Sequence, residues 1–289
     1  MNLVIILVSY IVGILIGISG TGGGALISPV LIIFFSIKPE TAIASDLVAT
    51  LFIRPFGAAI HLAKKTVDLK LVALLSIGSV PAAFLGSYVL SVLGKGHLRQ
   101  IHLEIALGVA LLIAVFAMTL RQLLNKGDQE VTLVQMSRLK AFATVFLGAF
   151  GGFLVGLTSV GAGSLMIVIL SLMFPNLKVS KVVGTDLMQA IFISAAASLG
   201  ALTFDHVNLV LSGSIVFGGI PGIITGSLIA PRLNPVLVRS VIILSVGTLA
   251  LFILGLPPVV VLSLTGFMLV VFVIAKLYFQ RKHYLIDRL

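Results

Sequence analysis

Residues 17–24 read GISGTGGG, and residues 156–163 read GLTSVGAG. The second stretch lies 139 residues after the first, and the match continues downstream. SDL at 45–47 returns as TDL at 185–187, and residues 67–93 return as residues 207–233, now at an offset of 140. Gly78, Pro81, Gly86 and Ser87 align with Gly218, Pro221, Gly226 and Ser227, and Arg99 aligns with Arg239. Helix-punctuating residues held in register over such a length mark a tandem duplication. Each copy spans about 120 residues, with one further helix after the second.

Both copies have the same parts. A short apolar segment (3–18; 140–157) reaches the Gly-rich break, and a second short one follows (25–36; 164–174). Three longer apolar segments complete the copy: 41–62, 69–93 and 98–124 in the first, 181–202, 207–230 and 236–254 in the second. A helix needs about 20 apolar residues to cross a bilayer core, so the long segments span and the short ones stop part-way. Each break then reads as the tip of a re-entrant or broken helical hairpin, with irregular backbone shielded by protein or lining a cavity. The fold expected is an all-α polytopic membrane protein. Its parts are a first repeat (1–124), a cytoplasmic linker (125–138), a second repeat (139–254), and a C-terminal helix near 257–280 with a basic tail (255–289).

The composition fits no soluble class. Of 289 residues, 59% are hydrophobic and 10% charged, where a soluble domain carries about 25% charge. The net charge of +10 comes from basic residues at the ends of apolar runs. That placement reads as topology and lipid-headgroup contact, not nucleic-acid binding. There is no cysteine, so disulfides and thiolate metal sites are excluded, and the five histidines show no ligand spacing. The N-terminal MNLVIILVSYIVGILIG lacks a basic leader and reads as a retained first helix. Lys276, Arg281, Lys282 and Arg288 put the C-terminus in the cytoplasm of a bacterial or archaeal cell. Walking back through the crossings, Lys64, Lys65 and Lys70 fall inside and Asp205 outside; Lys95 and Arg99 alone disagree. The loops holding Lys65 and Asp205 correspond in the two copies and carry opposite charge, as expected for inverted repeats.

Three groups of residues are candidates for chemistry. Around the breaks these are Ser19, Gly20, Thr21, Gly22, Gly23 and Gly24, and Thr158, Ser159, Gly161, Ala162 and Gly163. Glycine lets the backbone turn and approach a ligand, and the helices starting at Ala25 and Ser164 would offer N–H groups to an anion. The competing account is close helix packing by small residues. Next, Asp46, Thr50 and Arg54 share one helical face. Arg54 at membrane depth is a counter-charge for an anion, or else half of a structural ion pair with Glu104 or Asp186; the second copy has Ser194 in its place. Asp46 and Asp186 are repeat-equivalent and suit either proton coupling or helix N-terminal capping, the plainer account. Last, Gln189 and Ser198 line the second half of the pathway, and Pro81 and Pro221 mark possible hinges. No metal or cofactor is expected.

The stretches GISGTGGGALISPVL (17–31) and AAIHLAKKTVDLKL (58–71) resemble the TauE/SafE sulfite exporter family, also called the toluene sulfonate uptake permeases; VGAGSLMIVIL (160–170) is a looser match. The resemblance covers nearly the whole chain. It implies transport of sulfur-containing anions such as sulfite, thiosulfate or organosulfonates. With no ATP-binding motif, the driving force expected is an ion gradient, protons first. A passive anion channel and a membrane enzyme or assembly subunit are the alternatives, although three separated intramembrane acids make no catalytic cluster. Expected partners are the anion, membrane lipid and, as one option, a second copy of the chain.

Overall fold

The computed structural model describes residues 2–19, 24–63, 65–93, 97–124, 137–160, 179–204, 207–229 and 235–266, together with 170, 173, 174, 177, 232 and 233. Among the described residues there are helices and no strands. In the first half these are α1 (Leu3–Ser19), α2 (Gly24–Phe35), α3 (Pro39–Ala63), α4 (Leu69–Leu93) and α5 (His97–Leu124). In the second they are α6 (Arg138–Thr158), α7 (Val179–Phe204), α8 (Leu209–Ile229) and α9 (Pro235–Ile253), and helical backbone resumes over 258–266. Helices α4 to α8 are long and apolar enough to cross a membrane. Helix α3 has the length, 25 residues, but Glu40, Asp46 and Arg54 lower its hydropathy. Large apolar side chains cover the outside, including Phe142, Phe146 and Phe150 along one face of α6. That is the surface a bilayer solvates and water does not.

The expected half-length of each repeat's first segment holds for α1, at 17 residues, but not for α6, at 21. Arg138 and Lys140 extend α6 at its start, where Ser137 caps it by accepting from the Lys140 amide at 3.2 Å. Helix α6 is therefore long enough to cross rather than half-length. Both prolines expected as hinges, Pro81 and Pro221, lie within continuous helices.

The halves interlock by exchange. Helix α1 packs along α8, and α6 packs along α4, so the first helix of each copy lies on the fourth helix-forming segment of the other. These contacts are backbone on backbone. A Cβ on Gly17 would strike Ile223 O and Ser227 N; at the matching place a Cβ on Gly156 would strike Ala83 O and Ser87 N. Gly78 faces Val145 O and Ala149 N as Gly218 faces Ile6 O and Tyr10 N. Gly13 and Gly152 face Gly219 O and Ser79 O in the same way. Each of these contacts recurs with its partners swapped between the copies. Only glycine admits such an approach, and small residues four apart along a helix are the usual means in membranes.

Between the two glued pairs run α3 and α7, equivalent helices that pack on each other. The amide of Asn208, just past α7, donates to Ser45 Oγ at 3.1 Å near the start of α3. The amide of Asp68, just past α3, donates to Thr185 Oγ1 at 3.0 Å near the start of α7. Helices α3 and α7 are therefore antiparallel. The same Asp68 and Asn208 cap α4 and α8, accepting from the amides of Leu71 and Leu211 at 3.2 and 3.0 Å.

Adding a methyl group at a backbone contact forces the helices apart, which typically costs about 1–3 kcal/mol. Gly17→Ala and Gly156→Ala should therefore lower the melting temperature of the detergent-solubilised protein by similar amounts. Gly247→Ala, whose new Cβ would lie 3.8 Å from Val115, should leave it unchanged or raise it, since alanine favours helix. Equal effects at Gly156 and Gly247 would contradict the interlocked packing.

Candidate functional site

The crossing of α3 and α7 gathers the buried charge. Among the described residues, three charged side chains are buried: Asp46, Arg54 and Asp186, at 0%, 4% and 1% exposure. Asp46, Thr50 and Arg54 follow one stripe of α3, as their spacing predicts. Thr50 satisfies its hydroxyl on Leu47 O at 2.9 Å. Ser198 from α7 donates to that same carbonyl at 2.8 Å.

Arg54 is fixed by one corner of its guanidinium. Nη1 donates to Ala190 O at 2.9 Å and to Ser194 Oγ. Ser194 is the repeat equivalent of Arg54, so the arginine bonds its counterpart in the other half. Nε and Nη2 are buried and donate to no partner. These two nitrogens form the edge that presents parallel N–H bonds, the geometry arginine uses against two oxygens of one anion. The guanidinium interacts electrostatically with Asp186 and, more weakly, with Asp46, but it hydrogen-bonds neither. The hydrogen bonds of Arg54 thus go to a carbonyl and a hydroxyl, with Asp186 contributing through charge.

Asp46 does not cap α3. Its Oδ2 accepts from Ser28 Oγ of α2 at 2.7 Å and from Ser159 Oγ at 2.8 Å, while Oδ1 is buried with no partner. Ser159 ends α6 in a left-handed conformation (φ 59°), and its amide closes on Val155 O at 2.7 Å. Thr158 turns its hydroxyl onto Leu154 O at 2.7 Å. Gln189 donates from Nε2 to Ser79 Oγ at 3.0 Å on α4, leaving Oε1 buried and without a partner. It sits beside the Ala190 carbonyl that anchors Arg54.

The site residues divide accordingly. Arg54, Asp46, Asp186, Gln189, Thr158 and Ser159 come together in the buried interior of α3, α6 and α7. Ser19 and Gly24 are the last residue of α1 and the first of α2. Gly20, Thr21, Gly22, Gly23, Gly161, Ala162, Gly163 and Ser164 lie outside the described residues, as do the linker 125–136 and the tail from 267. Sequence reasoning passed over Ser28, Ser79 and the cross-half role of Ser45 and Thr185. A signal existed for Ser28: it is the one hydroxyl residue in α2.

Comparison with known proteins agrees with this architecture. A family profile described as "Sulfite exporter TauE/SafE" matches residues 5–253. The chain is similar to "Probable membrane transporter protein YjnA" of Bacillus subtilis (strain 168), 36% identical over 238 residues, which cover 81% of this chain and 92% of that one. It is also similar to "Probable membrane transporter protein YdhB" of the same organism, 25% identical over 254 residues, covering 86% of this chain and 100% of that one. No solved structure matches significantly.

The electrostatics make a test. Arg54→Ala would leave two buried carboxylates without their cation, and losing one partner of a buried charge set typically costs about 3–5 kcal/mol. The variant should melt well below the native protein, and Arg54→Ala combined with Asp186→Asn should recover much of the loss. Ser194→Ala, which removes one of two anchors, should cost about 1 kcal/mol. Full stability in Arg54→Ala would show that the arginine does not compensate those carboxylates.

Proposed function

This chain belongs to the sulfite exporter TauE/SafE family, and from that premise we propose that it is a secondary transporter of small sulfur-containing anions: sulfite, thiosulfate or organosulfonates. The observation that carries the reading is the free Nε–Nη2 edge of Arg54, buried and without a partner. A buried donor left unsatisfied is costly, and a two-oxygen anion satisfies both nitrogens at once. Gln189 adjoins the Ala190 carbonyl that anchors the arginine, and its Oε1 is buried without a partner.

Transport proceeds in this reading by alternating access at a site between inverted repeats, coupled to an ion gradient through Asp46 and Asp186. The antiparallel course of α3 and α7 supports the inversion, because equivalent spanning helices of opposite direction belong to oppositely oriented copies. The protein sits in the cell membrane as a multi-pass protein with a cytoplasmic C-terminus. The relatives, both named as membrane transporters, favour transport over catalysis.

Two measurements test this. In liposomes, uptake of labelled sulfite, thiosulfate and a taurine-like sulfonate should depend on an imposed ion gradient; flux indifferent to any gradient would indicate a passive channel instead. Arg54→Lys retains the charge but cannot offer parallel N–H bonds, so anion affinity should fall by roughly 10-fold or more, about 1.4 kcal/mol, with little change in melting temperature. Native affinity in Arg54→Lys would remove the fork from the site. The inversion is read separately. The chain has no native cysteine, so Lys65→Cys and Asp205→Cys each give a single label, expected to be accessible from opposite sides; labelling of both from one side would refute it.

A further inference from the structure

Among the described residues, the buried interior holds one more carboxylate than cation. Asp46 and Asp186 carry two carboxylates against the single guanidinium of Arg54. An anionic substrate on Arg54 would raise the deficit in a medium that screens poorly. Arg54 does not relieve Asp46 directly, since its bonds go to Ala190 and Ser194. What surrounds Asp46 is oxygen. Two hydroxyls, Ser28 and Ser159, donate to Oδ2 and keep lone pairs of their own. Oδ1 is buried and unpartnered. The carbonyl end of α6 arrives at the same place, because Ser159 is both the cap of that helix and a ligand of the carboxylate. A helix C-terminus carries unsatisfied carbonyls and the negative end of the macrodipole. Leu157, Thr158, Ser159 and Val160 are all buried, at 8%, 1%, 0% and 1% exposure. Between the N-terminal half of α2, which holds Ser28, and the last turn of α6, which ends at Ser159, the Oδ1 atom of Asp46 is left buried without a partner.

We infer that Asp46, Ser28, Ser159 and the carbonyl end of α6 form a binding site for a monovalent cation, Na+. An all-oxygen donor set suits a hard cation, and the one carboxylate in excess selects one positive charge. Helix C-terminal ends and unwound carbonyls are the groups that hold Na+ where spanning helices break. Two features of the sequence fit this site and not a general packing role. The conformation of Ser159 favours glycine, and the first repeat has Gly20 at the matching position; a serine there supplies a hydroxyl at the expense of backbone ease. In the sequence, the positions that match Ser28 and Ser159 are Ile167 and Gly20, neither with a side-chain oxygen.

The coupling role of this cation rests on the transporter reading above; its binding does not. The test is the melting temperature of the full-length, detergent-solubilised protein without anionic substrate, in NaCl, KCl or choline chloride at constant ionic strength. Stabilisation that saturates with Na+ and is absent with choline and K+ is the expected result. Ser159→Gly removes the hydroxyl while relaxing the backbone, so it should melt at or above the native temperature in choline and need at least about 10-fold more Na+ for half the effect. Ser28→Ala should shift the Na+ requirement in the same direction. Absence of Na+-specific stabilisation, or full native response in both variants, overturns the site. Stabilisation that follows pH and ignores Na+ also overturns it, in favour of a proton on Asp46. Anion uptake in liposomes is scored independently: uptake without Na+ stabilisation removes the cation site and leaves the transporter, whereas Na+ stabilisation without any anion uptake removes the transporter and leaves the site.

Discussion

Backbone touching backbone along α1 and α8, and again along α4 and α6, is the constraint from which the other features of this fold follow. In an apolar medium helices gain nothing from hiding apolar surface from each other, so association depends on close packing. Glycines at 13 and 17, at 148, 152 and 156, and at 218, 222 and 226 clear a path for that approach. Because each pair joins one helix from either half, neither repeat can fold into its final packing alone. The copies are held as one body, and a single buried cluster runs through most of the helices.

That interlock decides the position of α3 and α7. Helix α3 contacts α8, α7 contacts α4, and the two contact each other, so they fill the space between the glued pairs. Two helices in such a place must bury whatever their facing stripes carry. On α3 the stripe carries Asp46, Thr50 and Arg54; on α7 it carries Asp186, Gln189, Ser194 and Ser198. Polar groups there are too costly to keep for packing alone. The partners they find are carbonyls and hydroxyls of the opposite half: Ala190 and Ser194 for Arg54, Leu47 for Ser198, and Ser159 for Asp46. The hydroxyls of Ser45 and Thr185 perform a similar task at the rims by holding the caps of α8 and α4.

Much of this was legible in the chain. Hydropathy and the repeat offset located the helices to within a few residues, because a bilayer imposes length and apolarity on each crossing. The four-residue spacing of Asp46, Thr50 and Arg54 foretold a shared face. The exchange of helices between halves was not legible, since a tandem repeat leaves open which copy each element packs on. The partners of Arg54 and Asp46 were hidden for the same reason. Sequence spacing brings Ser28 no nearer to Asp46 than any other hydroxyl, and the ion pairs first expected assumed that charge seeks charge. The length of α6 was misread because Arg138 and Lys140 ended the apolar run, although charged residues at a helix end sit comfortably at the interface.

Duplication produces a symmetric frame, and a symmetric frame by itself treats both halves of a transport path alike. What distinguishes them here is a handful of substitutions at matched positions. Arg54 stands against Ser194 and bonds it; were both arginines, like charges would collide there. Ser159 stands against Gly20 and Ser28 against Ile167, so the hydroxyls that clothe Asp46 have no counterpart at those positions in the other copy. The paired glycines that set the packing are the same in both halves, whereas the polar residues that face the interior are not. Packing demands symmetry because each contact is made twice. The crossing of α3 and α7 is made once, and only a departure from the repeat allows it to hold a single arginine.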